Sequence, residues 1–249
     1  MVAIQLFLAD AGEAGPAVAR KAAEWFDAGE RERQSRLRFP ADRDLHLAAH
    51  VLLREVLARY TGTPAADLAF TAGEHGKPVL EATPELAFSL AHAGGVALLG
   101  VSLRADLGVD VEPVDARRDA LAIARRFHPG EQKWLQAADP TERAARFAEL
   151  WTLKESVAKA TGHGLQLPLE TFSCRPGSDG TLDTTLPGED PRRWHLRVAA
   201  RQGLRVAFAA RTAVPLETVT ATAHRVDLAD GALHVCELRT VAATASLRE

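Results

Sequence analysis

The sequence predicts an α+β fold of two similar, pseudo-twofold-related lobes, each an antiparallel sheet packed with helices. Two observations carry that prediction. Helical stretches give way to strand-like runs twice along the chain, the second time after Pro113, an order typical of α+β proteins rather than alternating βα units. Hydrophobic residues make up 47% and charged residues 25% of the 249 positions, enough apolar material for a core in each half. No residue-level repeat accompanies the recurrence, so the likeness of the halves rests on element order alone. The division that follows is a lobe over 1–112, a second over 113–215 and an extension over 216–249.

Taken in order, residues 2–9 are β-branched and apolar, carry no basic residue and meet Asp10 at once, which predicts a first strand rather than a signal peptide. Residues 16–38 are helical and Arg/Glu-rich, with a break expected at Gly29. Pro40 and Asp42 open an amphipathic helix that runs to about Tyr60 and is closed by Thr61-Gly62-Thr63-Pro64. A short strand over 68–71 precedes the turn Gly73 to Pro78. Residues 86–90, 96–103 and 107–111 then read as strands separated by Gly94-Gly95 and Ala105-Asp106, predicting an antiparallel meander. In the second half, helices are expected over 119–126 and 131–137, with a long one after Asp139-Pro140. Strands return at 171–175, 181–184, 194–200 and 204–211. One or two edge strands are expected within 216–238, and the last ten residues are expected to fray.

Bulk properties remove several classes of function. A net charge of −3 and the lack of any aromatic-interleaved basic run argue against nucleic-acid binding. No apolar segment approaches membrane-spanning length, and Cys174 and Cys236 fit neither a disulfide framework nor a metal spacing. The expected compartment is the reducing cytoplasm. Neither phosphate-binding glycine patterns nor a nucleophile elbow occurs.

Five features remain as carriers of chemistry. In FAELWTLKESVAKATGHG, residues 147–164, Trp151, Glu155 and Lys159 lie four apart on one helix stripe, offset from an apolar stripe that includes Phe147, Leu150 and Val157. A carboxylate between Lys154 and Lys159 suits holding a metal and a phosphate together, and it equally suits a solvated helix edge. In Gly108-Val109-Asp110-Val111-Glu112 the two carboxylates project from one side of a strand. They repel unless a cation sits between them, and oxygen-only ligands favour Mg²⁺ or Mn²⁺, with Glu155 as a third donor. The alternative is an edge strand showing its polar face to water. His92 leaves a strand into Gly94-Gly95, where its ring could flank a ligand or serve structure only. Lys77 sits in the rigid turn Gly76-Lys77-Pro78. Arg31, Arg33, Arg36, Arg38 and Arg43 could dock a phosphate, although interleaved acids also fit a solvated face.

Together and in order, GKP at 76–78, FSLAHA at 88–93, GVDVE at 108–112, RRFHPGE at 125–131, LWTLKESVAKATGHGL at 150–165 and LPLETFSC at 167–174 resemble the 4′-phosphopantetheinyl transferase family. The likeness is to its larger, two-lobed, surfactin-synthetase-activating type and covers about residues 3–212. The resemblance implies transfer of the phosphopantetheine arm of coenzyme A to a serine of an acyl or peptidyl carrier protein, with release of adenosine 3′,5′-bisphosphate. It implies that Asp110, Glu112 and Glu155 bind Mg²⁺ (or Mn²⁺) with the coenzyme A pyrophosphate. It further implies that Lys77 and His92 hold the 3′-phosphate end, that Lys159 contacts the pyrophosphate with Lys154 beside it, and that Glu155 or a metal-polarised water takes the serine proton. A monomer whose halves mimic a dimer is expected, with the carrier docking on 125–135 and the ridge after Gly164.

Two departures from the family pattern stand out. Ala91-His92-Ala93 replaces the frequent Ser-His-Ser, and Leu45 stands where many relatives carry a basic residue. Arg43, or failing that His46, is expected to substitute for the latter. The other readings of the same residues are a coenzyme A or carrier-protein binding module without turnover, and a Mg²⁺-dependent phosphohydrolase.

Overall fold

The computed structural model describes residues 1–177, 182–215, 218–236 and 238–243. β1 (Val2–Asp10) is followed by α1 (Pro16–Trp25), α2 (Ala28–Arg36) and α3 (Pro40–Thr61). The helix break falls before Gly29, because Asp27 caps α2. Its Oδ1 accepts the Glu30 N–H at 2.7 Å while the Glu30 carboxylate accepts the Asp27 N–H at 2.9 Å. α3 opens on proline in its first turn and closes on Gly62, whose φ of +72° needs a residue without a Cβ. A small hairpin, β2 (Phe70–Ala72) with β3 (Pro78–Leu80), leads to β4 (Ala87–Ala93), β5 (Val96–Ser102) and β6 (Ala105–Pro113).

The second half repeats the outline with α4 (Ala120–Ala124), α5 (Pro129–Gln136) and α6 (Pro140–Thr161), the last again opened by proline and closed by a left-handed glycine, Gly162. Then come β7 (Ser173–Pro176), β8 (Leu182–Thr185), β9 (Trp194–Arg201) and β10 (Leu204–Thr212). β11 (Val219–Val226), β12 (Leu233–Cys236) and β13 (Arg239–Ala243) complete the described chain. The strand expected over 181–184 is observed from Leu182, Thr181 lying outside the described residues. Of the end expected to fray, 240–243 belong to β13 and 244–249 lie outside the described residues.

The architecture is mixed α+β, as expected. One sheet has the order β12-β11-β1-β5-β4 and a second the order β13-β9-β10-β6. Their inner faces share one core that includes Ile4, Leu6, Leu98, Val109, Val111, Val206 and Phe208. α3 covers the outer face of the first sheet through Phe7, Leu52, Val56 and Leu99. α6 covers the outer face of the second through Leu153, Val157, Val198 and Ala209. β1 shows why two cores can share one strand, since Val2, Ile4, Leu6 and Leu8 face inward while Phe7 and Ala9 meet α3.

The expected three-stranded meander is only a hairpin. β4 and β5 pair, but β6 crosses to the second sheet and pairs antiparallel with β10 from Ala105 to Pro113. Its apolar residues Leu107, Val109 and Val111 pack between the sheets, where Gly100 leaves the room that a Cβ would take from Val109. Of the strands described after 216, β11 lies parallel to β1 and β12 at the edge of the first sheet, while β13 pairs antiparallel with β9 at the edge of the second. No described helix is long and apolar enough to cross a membrane.

Candidate active site at the seam of β6 and α6

Gly108 determines how closely α6 can lie on β6. A Cβ there would stand 1.9 Å from the Ser156 carbonyl oxygen and 2.5 Å from the Ala160 nitrogen. Asp110 and Glu112 follow at two-residue spacing on the same face, so both carboxylates meet the helix stripe of Trp151, Glu155 and Lys159. The motif glycine and the stripe are thus two halves of one contact.

At that contact Lys159 Nζ lies 2.7 Å from Asp110 Oδ1 and donates to the Val109 carbonyl at 3.2 Å. Asp110 is 6% exposed, and its Oδ2 is buried with no hydrogen-bond partner among the described residues. Burial drives its carboxyl up to about 7. Lys159 pulls it down, and the charges of Glu112 and Glu155 push it further up. Glu112 accepts the Trp151 indole N–H on Oε1 at 3.1 Å and Arg118 Nη1 on Oε2 at 2.9 Å. Glu155 is raised above the usual glutamate range by burial, which Lys159 opposes and Glu112 reinforces. Trp151 is fixed by stacking on Phe127 and Phe147, each with ring centroids 6.0 Å away. Its indole therefore orients a carboxylate as well as packing. Arg118, from the loop after β6, carried no signal in the sequence.

The remaining expected residues are more dispersed. His92 is the penultimate residue of β4, its imidazole pushed toward neutrality by partial desolvation and by the charges of His50 and Lys159. Lys77 donates to the Leu107 carbonyl at 2.8 Å, at the start of the carboxylate strand, and burial lowers its pKa. Arg43 is exposed and its Nε donates to the Leu37 carbonyl at 2.8 Å. His46 cannot supply the charge missing at Leu45. It is buried against Phe26 and His50, and desolvation together with His50, His92 and Arg33 lowers its pKa to about 4.

The role expected of Lys154 needs correction. One position before Glu155 it points about 100° around the helix, and its ammonium is fully buried 2.7 Å from Glu131 Oε2. It bonds the carbonyls of Leu169 and Phe172, each at 2.8 Å, so it is not directed at the carboxylates.

As arranged, Asp110, Glu112 and Glu155 do not form a closed cage. Among the described residues no group of three His, Cys, Asp or Glu side chains is set to hold a metal. Lys159 occupies Asp110 Oδ1, and Glu112 is turned to Trp151 and Arg118. The donor set nonetheless fits a hard divalent cation. All three groups supply oxygen, the charge of Glu112 raises both Asp110 and Glu155, and Asp110 Oδ2 is a buried oxygen lacking a partner among the described residues. On the far side of the stripe a cleft of about 900 Å³ is lined by Arg125, Arg126, Phe127, Trp151, Glu155 and Leu169.

Comparison with known proteins gives the same answer over both halves of the chain. Residues 106–209 match the 4′-phosphopantetheinyl transferase superfamily, and residues 16–103 match the 4′-phosphopantetheinyl transferase N-terminal family. A 4′-phosphopantetheinyl transferase of Bacillus subtilis is 35% identical over 164 residues, 64% of this chain and 72% of that one. The transferase Sfp of Bacillus subtilis strain 168 is 34% identical, over 63% of this chain and 70% of its own. AcpT of Salmonella typhimurium is 32% identical over 47% and 57%. With both halves of the sequence matched and the carboxylate strand and lysine helix inside the matched region, the chain is an enzyme belonging to the 4′-phosphopantetheinyl transferase family, of the Sfp type.

Proposed function

We propose that the enzyme moves the 4′-phosphopantetheine arm of coenzyme A onto a serine of an acyl or peptidyl carrier protein in a Mg²⁺-dependent reaction. The observation that carries this is the gathering of Asp110, Glu112, Glu155 and Lys159 on one seam beside an open cleft. The serine oxygen forms a bond to the phosphorus next to the pantetheine, the bond to the bridging pyrophosphate oxygen breaks, and adenosine 3′,5′-bisphosphate leaves. Such transfer gains mostly from positioning and from neutralising charge on the phosphates. Lys159, held by Asp110, neutralises part of that charge. Glu155, on the seam beside the cleft, takes the serine proton. Asp110, Glu112 and Glu155 would hold a divalent cation, which when bound adds charge neutralisation at the pyrophosphate. Lys77 and His92, with Arg43, contact the adenosine 3′-phosphate end. In this reading the lobe over 1–112 holds the nucleotide end, and 113–215 supplies the helix that meets the pyrophosphate.

The test is mass spectrometry of apo carrier proteins from fatty-acid, polyketide and non-ribosomal peptide systems, incubated with coenzyme A and Mg²⁺. The expected result is a mass gain of one phosphopantetheine, lost on chelation and in Glu155→Ala and Asp110→Ala. No gain on any carrier, with coenzyme A still bound, would make the chain a binding module, and coenzyme A cleavage without carrier would make it a phosphohydrolase. A cytoplasmic, monomeric enzyme of secondary metabolism completes the proposal, and light scattering of the purified chain tests the monomer.

A further inference from the structure

Lys154 takes no part in the chemistry above, yet its ammonium is fully buried and wholly committed. Its partners are Glu131 Oε2 at 2.7 Å and the carbonyls of Leu169 and Phe172 at 2.8 Å, with the rings of Phe172 and Phe127 at 4.1 and 5.3 Å. Glu131 is equally committed. It is the capping-box glutamate of α5, accepting the His128 N–H at 3.2 Å, and its Oε1 accepts the Cys174 N–H at 2.9 Å. One ion pair therefore joins the start of α5, the middle of α6, the segment 169–172 and β7. The cleft beside Glu155 is walled by two parts of this assembly, Phe127, whose ring lies 5.3 Å from the Lys154 ammonium, and Leu169–Glu170 of the tied segment.

Stability does not explain a charge here, since a well-packed apolar pair in place of a buried ion pair is often as stable or more so. Direction does explain it. An ammonium aims its N–H groups at fixed acceptors, which an apolar side chain cannot do. The same device stands in the first lobe. Arg54, fourteen residues into α3 from Pro40 as Lys154 is into α6 from Pro140, is fully buried. It bonds Glu30 Oε2 at 2.9 and 2.7 Å and the carbonyls of Ala65 and Leu68 at 2.7 and 3.2 Å. Glu30 is likewise the capping-box glutamate of the helix before. In both lobes a buried cation ties the long helix to the preceding cap and to the loop that follows.

We propose that the Glu131–Lys154 pair is a positioning device for the acceptor substrate, fixing the segment 169–172, whose first two residues wall the cleft, so that the carrier-protein serine enters in register with Glu155. The inference rests on the transfer reading above. Lys154 touches neither substrate and acts through the wall it holds.

The test uses the full chain as Lys154→Met, as the neutral pair Glu131→Gln with Lys154→Met, and as Lys154→Gln, which keeps two donors. Melting temperature, coenzyme A binding by calorimetry without carrier, both KM values and amide exchange over 169–174 are read for each. Lys154→Met alone melts lower, because the buried Glu131 carboxyl loses its ammonium partner. The neutral pair recovers melting and keeps coenzyme A affinity, but its carrier KM rises about tenfold or more and exchange over 169–174 quickens. Lys154→Gln recovers part of the carrier KM. A variant that melts like the wild type and shows an unchanged carrier KM overturns the proposal, as does loss of coenzyme A affinity in step with the carrier KM. If the wild type modifies no carrier, the transfer reading fails by itself. Unchanged amide exchange over 169–174 in the variants would then sink the positioning role independently.

Discussion

Replacing Gly108 by alanine adds one methyl group at the contact between β6 and α6. The new Cβ meets backbone atoms, Ser156 O at 1.9 Å and Ala160 N at 2.5 Å, as well as Lys159 Cβ at 2.9 Å, so no side-chain rotation relieves it. Restoring ordinary contact requires the helix and strand to part by about 1.5 Å. That displacement carries Glu155 and Lys159 away from Asp110 and Glu112, stretching the 2.7 Å Lys159–Asp110 contact beyond hydrogen-bond length. Overpacking of this kind costs about 1–3 kcal/mol, and a misplacement of about 1 Å at reacting groups costs on the order of a hundredfold in rate. Gly108→Ala is therefore expected to fold, with a urea midpoint lowered in proportion, and to lose about two orders of magnitude in kcat/KM. Urea denaturation and initial-rate assays on one preparation measure both. A variant as active as the wild type would refute the close approach as the origin of the site. A destabilised variant with normal turnover would keep the packing argument and remove its catalytic consequence.

Other outcomes follow from individual groups. Asp110→Asn removes a carboxyl that burial raises to about 7, so at pH 8 the variant should melt no lower than the wild type while losing transfer activity, as read by calorimetry and a carrier assay. Trp151→Phe keeps a ring against Phe127 and Phe147 but drops the bond to Glu112. A fall of about tenfold in kcat/KM, with stability changed by under about 1 kcal/mol, is expected. Burial opposes ionisation of Glu30, but bonds from His50, Arg54 and the Asp27 amide outweigh it and hold the carboxyl at about 2 instead of 4.5. Its contribution is thus complete above pH 4.5 and is lost as pH falls toward 2, about 3 kcal/mol in all. Glu30→Gln should flatten that acid limb in urea titrations and, by leaving buried Arg54 only the 3.5 Å contact to Asp27 as a counter-charge, cost about 3 kcal/mol at pH 7. His46 adds to the acid limb at higher pH. Its neutral form is favoured in the fold, so stability declines as pH falls from 6.5 through about 4, and His46→Gln should remove that segment.

Much of this site could be read from local periodicity. The four-residue spacing of Trp151, Glu155 and Lys159 and the two-residue spacing of Asp110 and Glu112 specify which side chains share a face, and the structure keeps both sets together. Helix ends were equally legible, since Pro40 and Pro140 at the start and Gly62 and Gly162 at the end act through their own backbone. Periodicity says nothing about what lies opposite a face. Only the tertiary structure decided that β6 leaves β5 for β10, that Gly108 lets α6 rest on it, and that Arg118 and Trp151 converge on Glu112. The same holds for Lys154. Its charge suggested a phosphate contact, but a rotation of about 100° from Glu155 turns it inward to Glu131, a residue twenty-three positions away on another helix. Hydrophobic spacing along a segment is set by that segment's own geometry, whereas the partner of a buried charge is set by how distant segments pack.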